Sequence, residues 1–598
     1  PLRHSSAASD VYKRQVYGFC LTLLLIAIVL NPFKETPNFF FGAGLNELLQ
    51  TDLMIIHPPL IFLAYSFCIF ISAIALAGIF TESSPGIDER ILSLTRPGLF
   101  VTTLGIGLGG LWAYLILDWG GYWAWDPVET GSFLPWLALV GISHMRTRPG
   151  KVSEKGWIGA GLVVGALALF ATLVTRAGGV WASSVHTFVT SEGGTAPDDA
   201  FSRMMLLKND AVAGVEIMTY LMFILLIIGA WLMLNRRSHH GYVSSNSPVL
   251  LLIPTIGAAA AILFGADLYH WIPNFAIVGL VMGFVAIDKL AKPFASLEPN
   301  GWTYYRGRFV QPLLLFPVLL YILVPKGFFV LLFLVFFAPM YYSQNATKEW
   351  IWASLGIMLA LAGAWSGMIE VIMAAVVIMV FLAPFLVEEE ISKSTRKLVT
   401  KNRLKRAALW CSVMLVSLYL VLTLVILLES IDSVNFDAHE LYGAPFLLGF
   451  AGAMLTYTRR NSKPENTLYG LIAVVIFSLF MAVFFSDTLG GDSSTSLSEY
   501  IDRGLIAWIS FPMLLVVVGP LIFEIRSQMK TSKKAHFWRR IPFNAHIVHL
   551  GLVILLIGHV TTTILVDRGD ASHRITLVKD EIIVCLLYTS DAADEWRS

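Results

Sequence analysis

The stretch DWGGYWAWDPVETGSFLPW, residues 118–136, decides how this chain is read. It holds Trp119, Trp123, Trp125 and Trp136, together with Tyr122, the pair Gly120–Gly121 and the acids Asp118, Asp126 and Glu129. An apolar run at 97–117 leads into it and another at 133–145 leads away. Tryptophan and tyrosine are flat, largely apolar and polar at one edge, so they concentrate where hydrocarbon meets water. Gly120 and Gly121 permit a tight turn or a close approach of backbone to ligand. The strip is therefore expected at a membrane boundary, as a wall for a large, flat, hydrophobic ligand. The plainer alternative is an ordinary aromatic belt; the mixture of tryptophans with glycines and acids argues against it.

Composition sets the surroundings. Of the 598 residues, 56% are hydrophobic and only 14% charged, and the mean hydropathy is +0.70. A soluble domain carries about 25% charged residues. Apolar segments recur along the chain, near 54–80, 97–117, 133–145 (a short one), 157–175, 405–428, 444–457, 467–485, 503–524 and 543–565. Eight more lie near 16–31, 215–234, 249–266, 270–288, 309–324, 326–342, 349–364 and 367–387. The expected fold is thus an all-α polytopic integral membrane protein of about seventeen transmembrane helices. Helices are the natural choice because lipid leaves backbone groups no other partner.

Lysine and arginine sort by loop. The basic connections, 145–156, 235–240, 289–308, 392–406, 458–464 and 526–540, alternate with weakly basic or acidic ones at 31–52, 118–132, 176–213, 429–443 and 486–502. Basic loops face the cytoplasm, so the tryptophan strip is expected on the extracytoplasmic side of a cell membrane. The formal net charge of +1 points to no nucleic-acid partner. The alternation in RITLVKDEIIV reads as the start of an outward-facing β-rich domain at 567–584. Residues 1–15 and 585–598 look like translated adapter text, so the natural chain is expected to continue beyond both ends. Between them the sequence divides into 16–190, which carries the strip, and 191–566, a polytopic helical region that includes 543–565. The four cysteines, Cys20, Cys68, Cys411 and Cys585, form no C-x-x-C pair, which leaves neither a disulfide framework nor dithiol chemistry to expect.

Among thirteen histidines, two pairs stand out. His57 opens the span IIHPPLIFLAY, and His186 lies in GGVWASSVHTF after the fifth span; both belong on the side of the strip. Two histidines flanking an aromatic wall fit axial ligation of a haem iron. His144 and His549 fall toward the other ends of antiparallel spans, where an ionisable group is costly and suggests function. They could clamp a buried b-type haem, or simply sit at helix ends near the interface. Arg176 is a candidate partner for haem propionates, with ordinary interfacial placement as the equal alternative. His239, His240, His270, His439, His536 and His559 show no such pairing and read as interface or loop residues.

WGGYWAWDPVE at 119–129 resembles the tryptophan-rich (WWD) signature of the haem-handling membrane proteins of cytochrome c assembly. HPPL at 57–60, SHMRTR at 143–148, TRAGGVWASSVHTF at 175–188 and HLG at 549–551 extend the resemblance to the large CcmF-like haem-lyase subunits. The resemblance covers residues 50–190 and 540–565, while the middle matches mainly in hydropathy and length. It implies that His57 and His186 ligate an incoming substrate haem over Trp119, Gly120, Gly121, Trp123, Trp125 and Asp126. It also implies that His144 and His549 hold the iron of a resident haem b. His546, one turn before His549, leaves that last ligand open. The implied partners are a covalent haem chaperone, an apocytochrome-presenting subunit and apocytochrome c itself, with a quinol as a candidate electron donor. The implied reaction is thioether attachment of haem to a C-x-x-C-H segment.

Two other classes compete. A transporter subunit would also have many spans, but it places charged residues along a mid-membrane path, and Glu370 is one of few acids near that depth. A haem-exporting scaffold without lyase action would share the strip; the chain's size and its second histidine pair favour the lyase.

Overall fold

Each apolar run becomes a helix wherever the chain is described. The computed structural model describes residues 49–79, 85–116, 123–147, 152, 154–176, 222, 225, 400–429, 436–491, 493–498, 501–531 and 541–565, with isolated positions between 17 and 28. Nine α-helices lie among them. They are α1 (Leu53–Ile79), α2 (Ile87–Ile116), α3 (Pro127–Met145), α4 (Glu154–Arg176), α5 (Lys401–Glu429), α6 (Phe436–Thr458), α7 (Pro464–Phe484), α8 (Arg503–Thr531) and α9 (Ile541–His559). All but α3 and α6 are long and apolar enough to cross a membrane. The chain is thus a helical integral membrane protein. The eight remaining expected spans are described at isolated positions at most, and the β-rich segment at 567–584 lies outside the described residues.

Three helices begin well before the apolar onset, among them α6, which starts at Phe436 against a run at 444–457. The run at 97–117 belongs to α2, which starts at Ile87; Asp88 and Glu89 occupy its first turn, where acids favour the positive end of a helix. Likewise α3 starts at Pro127 and not at Phe133, because Asp126 caps it. A short hairpin was not expected. Between α7 and α8, β1 (Ser496–Ser498) pairs antiparallel with β2 (Ile501–Asp502), Ser496 opposite Asp502.

The helices form two packed groups. In the first, α1 packs on α2 and α4, and α3 on α4, around buried Ile71, Ile91, Leu134, Leu139, Leu162 and Leu173. The α1–α4 contact is close: Ser72 Oγ donates to the Gly161 carbonyl at 2.7 Å, and a Cβ on Gly165 would overlap the Ser72 side chain. Small residues with an interhelical hydrogen bond are how membrane helices gain contact without a hydrophobic driving force. In the second group α8 packs on α6, α7 and α9, around Ala451, Met513, Leu514, Val517, Val553 and Ile564. The α3–α5 contact joins the two groups. Phe62, Phe100, Phe477, Phe484, Phe523 and Ile554 stay exposed on helix surfaces, as a lipid-facing bundle requires.

Among the described residues, one ion pair is almost wholly enclosed. Arg503 Nε donates to Glu440 Oε2 at 3.0 Å, with side chains only 7% and 1% exposed. Removing one partner of such a pair costs about 3–5 kcal/mol because the other charge stays buried. Glu440→Gln is therefore expected to lower the unfolding midpoint of the purified protein sharply, and Glu440→Gln with Arg503→Met to recover most of the loss. Equal midpoints in wild type and single variant would show that the pair contributes nothing.

Candidate functional site

The sequence Trp125-Asp126-Pro127-Val128-Glu129 builds the turn that aims the tryptophans. Asp126 Oδ1 accepts from the amides of Val128 at 2.7 Å and Glu129 at 3.2 Å. Glu129 reaches back, and its Oε2 accepts from the amides of Ala124 at 3.0 Å and Asp126 at 3.4 Å. This is a capping box, with Pro127 in the first turn where its missing amide hydrogen costs little. The amides on either side of Trp125, both donating to Glu129 Oε2, hold it at φ +56°, a left-handed conformation that costs a bulky residue about 1–3 kcal/mol.

That strained residue points its ring into the bundle. Trp123 and Trp125 are each 7% exposed; their rings meet edge to face at 5.8 Å. Both contact Phe133, two turns into α3, at 5.8 and 5.7 Å. Phe133 stacks on Trp136 at 5.1 Å and meets Tyr419 of α5 at 6.4 Å. Trp123 and Trp125 therefore line the interior, while Trp136 is half-buried. Trp119, Gly120 and Gly121 lie outside the described residues.

Sequence reading missed two histidines here. His439, in the first turn of α6, stacks face to face on Trp125 with centroids 3.7 Å apart and planes 8° apart. His559, at the end of α9, meets Trp125 edge-on at 6.2 Å. Loop charge was the signal that could have found them, since it puts both on the side of the strip. Polar satisfaction is poor at this spot. Of nine buried side-chain polar atoms without a hydrogen-bond partner among the described residues, five are Trp123 Nε1, Glu129 Oε1, Thr130 Oγ1 and both ring nitrogens of His439. Orphaned polar atoms are rare in a finished interior, so their concentration here marks a place able to take up a polar-edged ligand.

The second histidine pair converges. The His144 and His549 rings have centroids 6.0 Å apart. A metal held by two imidazoles at about 2 Å per bond separates ring centroids by roughly 6 Å, so the spacing fits one iron between them. His144 Nδ1 lies 2.8 Å from the Val140 carbonyl. Donation there leaves the lone pair on Nε2, the usual arrangement behind a metal-ligating histidine. His546 points elsewhere, its Nε2 3.8 Å from Glu524 Oε2. Along α9, His559 and His549 are ten residues apart, about 15 Å. Along α3, Phe133 and His144 are eleven apart, a similar rise, so the aromatic level and the histidine level run in step on both helices.

His57 lies in the second turn of α1 against α2, its Nδ1 2.8 Å from the Gly105 carbonyl. With Nδ1 as donor, the lone pair is on Nε2. The close approach depends on Gly109, where a Cβ would come within 2.6 Å of His57 Cε1. His186 and the Arg176 side chain lie outside the described residues, as does Glu370. Cys68 and Cys411 are buried free thiols.

In class, then, this is a polytopic helical membrane protein with a tryptophan turn folded into its bundle and a pair of facing histidines. Residues 6–184 match the family described as cytochrome C assembly protein, a span that includes His57, the strip and His144. The chain is 36% identical over 176 residues to the cytochrome c-type biogenesis protein CcmF of Escherichia coli, covering 28% of this chain and 26% of that protein. It is 34% identical over 205 residues to the probable biogenesis protein NrfE of the same organism, covering 33% and 37%. Against the biogenesis protein ccl1 of Rhodobacter capsulatus it is 28% identical over 316 residues, covering 49% and 44%. Over these residues the chain is CcmF-like, and the matches span less than half the length of each relative. No solved structure matches it.

Proposed function

We propose that this chain is a haem-lyase subunit of cytochrome c maturation, taking haem from a covalent haem chaperone and promoting its attachment to a C-x-x-C-H segment of apocytochrome c. The observation that carries the reading is the pairing of the Trp125 turn with the His144–His549 pair on the same two helices. The similarity to proteins named for cytochrome c-type biogenesis supports it.

The reaction adds each substrate thiol across a haem vinyl group: a C–S bond forms, the thiol proton ends on the neighbouring carbon, and nothing is oxidised. The chain's task is placement. Trp123, Trp125 and Phe133 would give the porphyrin an apolar wall and keep water away, Trp123 Nε1 and His439 would meet its polar edge, and His57 and His186 would be the ligands of its iron. Holding reactants in register in this way removes much of an entropic barrier. His144 and His549 would hold a haem b, and that group would supply, from a quinol donor, the electron that keeps the incoming iron ferrous. An apocytochrome-presenting subunit and a quinol donor complete the proposed set of partners, with the tryptophan turn on the extracytoplasmic side.

Protein purified from membranes is expected to show reducible Soret and α bands of b type, confirmed as non-covalent haem by pyridine haemochrome. A preparation with no such bands would overturn the resident-haem part of the reading. Cells lacking the gene, yet still making covalent cytochromes c by the same pathway, would overturn the lyase role.

A further inference from the structure

A largely enclosed ion pair, Arg460–Glu524, with side chains 18% and 10% exposed, lies beside His546, one helical turn before His549, and has no part in the chemistry above. Arg460, just past α6, donates through Nη1 to Glu524 Oε1 of α8 at 3.1 Å and through Nη2 to Oε2 at 3.5 Å. Nη1 also donates to the Tyr457 carbonyl at 3.0 Å, and the guanidinium sits 4.6 Å over the Tyr457 ring. On the other side of Glu524 is His546 Nε2, at 3.8 Å. Glu524 is 8% and His546 5% exposed. His546 precedes His549 by three residues, about 4.5 Å along α9.

Stability does not explain the pair. Apolar residues of similar volume usually replace such an ion pair with no loss. What a fixed cation and anion do supply, in a low-dielectric interior, is an electric field at their neighbours. Charge and hydrogen bonding around an iron centre are among the protein's means of setting its reduction potential. We propose that Arg460 and Glu524 set the reduction potential of the iron held at His549, with His546 as the contact that brings their field to α9.

The signs follow from charge. Ferrous haem carries one positive charge fewer than ferric haem. Glu524 therefore favours the ferric state and Arg460 the ferrous state. Glu524→Gln leaves the guanidinium in place and raises the potential. Arg460→Met leaves the carboxylate in place and lowers it. Glu524→Asp keeps the charge and the wild-type value, and Arg460→Met with Glu524→Gln returns close to it. These are positioning and tuning residues, since neither reaches the iron.

The inference rests on His144 and His549 holding a haem b. The test is a potentiometric titration of the full chain, purified from membranes, following the reducible b-type bands. At a fixed ambient potential, each single variant is expected to change the ferrous-to-ferric ratio about tenfold, in opposite directions, which is 59 mV for a one-electron couple. If Arg460→Met does not accumulate, Glu524→Gln against the double variant carries the same comparison. Glu440→Gln, at the enclosed pair with Arg503, is the control and leaves the ratio unchanged. Shifts of the same sign in both single variants, or none in Glu524→Gln, would overturn the tuning role while leaving the haem site in place. A wild-type chain without haem would overturn the two together.

Discussion

Replacing His144 with alanine is expected to remove the b-type Soret and α bands of the purified protein, leaving below about a tenth of the wild-type haem content. The size of the effect follows from the geometry. His144 and His549 face each other at 6.0 Å, a separation that suits two bonds to one metal and would be too short for a haem lying free between unligated rings. The Val140 carbonyl orients the His144 ring, and disturbing even a supporting contact of this kind typically costs ten- to a hundredfold in affinity. Loss of the ligand itself should cost at least as much. His549→Ala should give the same spectrum. His546→Ala should keep the bands, because its imidazole contacts Glu524. Should His144→Ala retain full bands while His546→Ala loses them, the ligand assignment made from ring geometry would be wrong.

Much of the architecture was legible because lipid forces hydropathy and helix to coincide. Every described apolar run is a helix, and α1, α4 and α5 begin and end within a few residues of their runs. The errors lie where helix and hydropathy part. Residues 87–96 contain Asp88, Glu89, Arg90 and Arg96, which lower hydropathy without breaking a helix, so α2 starts ten residues before its apolar onset. The hairpin at 496–502 buries little and has no alternating pattern long enough to announce it. In the site, Asp126-Pro127-x-Glu129 is a readable helix start, and its consequence, a tryptophan held at positive φ, is local. The His439 stack is not local. Residues 125 and 439 meet only because α3 packs on α5, α5 packs on α6, and α6 starts beside the turn. No periodicity records such a meeting. His546 and His549 were ambiguous for the opposite reason: they are near neighbours on one helix, and only the facing helices α8 and α3 distinguish them.

His57→Gly is expected to block covalent cytochrome c formation in cells that depend on this chain, and millimolar imidazole in the medium should restore part of it. Rescue is plausible on structural grounds. The His57 ring fills a niche against α2, bounded by Gly109 and closed by the Gly105 carbonyl. Deleting the side chain leaves a cavity of imidazole shape that still offers the same acceptor, so a free imidazole can enter in the orientation that directs Nε2 away from α2. Gly109→Ala should fail in a different way. Its new methyl would come within 2.6 Å of His57 Cε1, and the ring must move by about an ångström or lose its bond to Gly105. A displacement of that size at a reacting centre costs up to about a hundredfold in rate. Added imidazole should not correct it, because the misplaced ring still occupies the niche. The b-type bands at His144 and His549 should persist in both variants, since neither touches that pair. The combined pattern separates an iron ligand from a packing residue. A histidine that only joined α1 to α2 would be replaced by glycine with modest loss, would gain nothing from imidazole, and would tolerate a shifted ring. Normal cytochrome c in His57→Gly cells would therefore remove His57 from the site, whatever the position of the tryptophans.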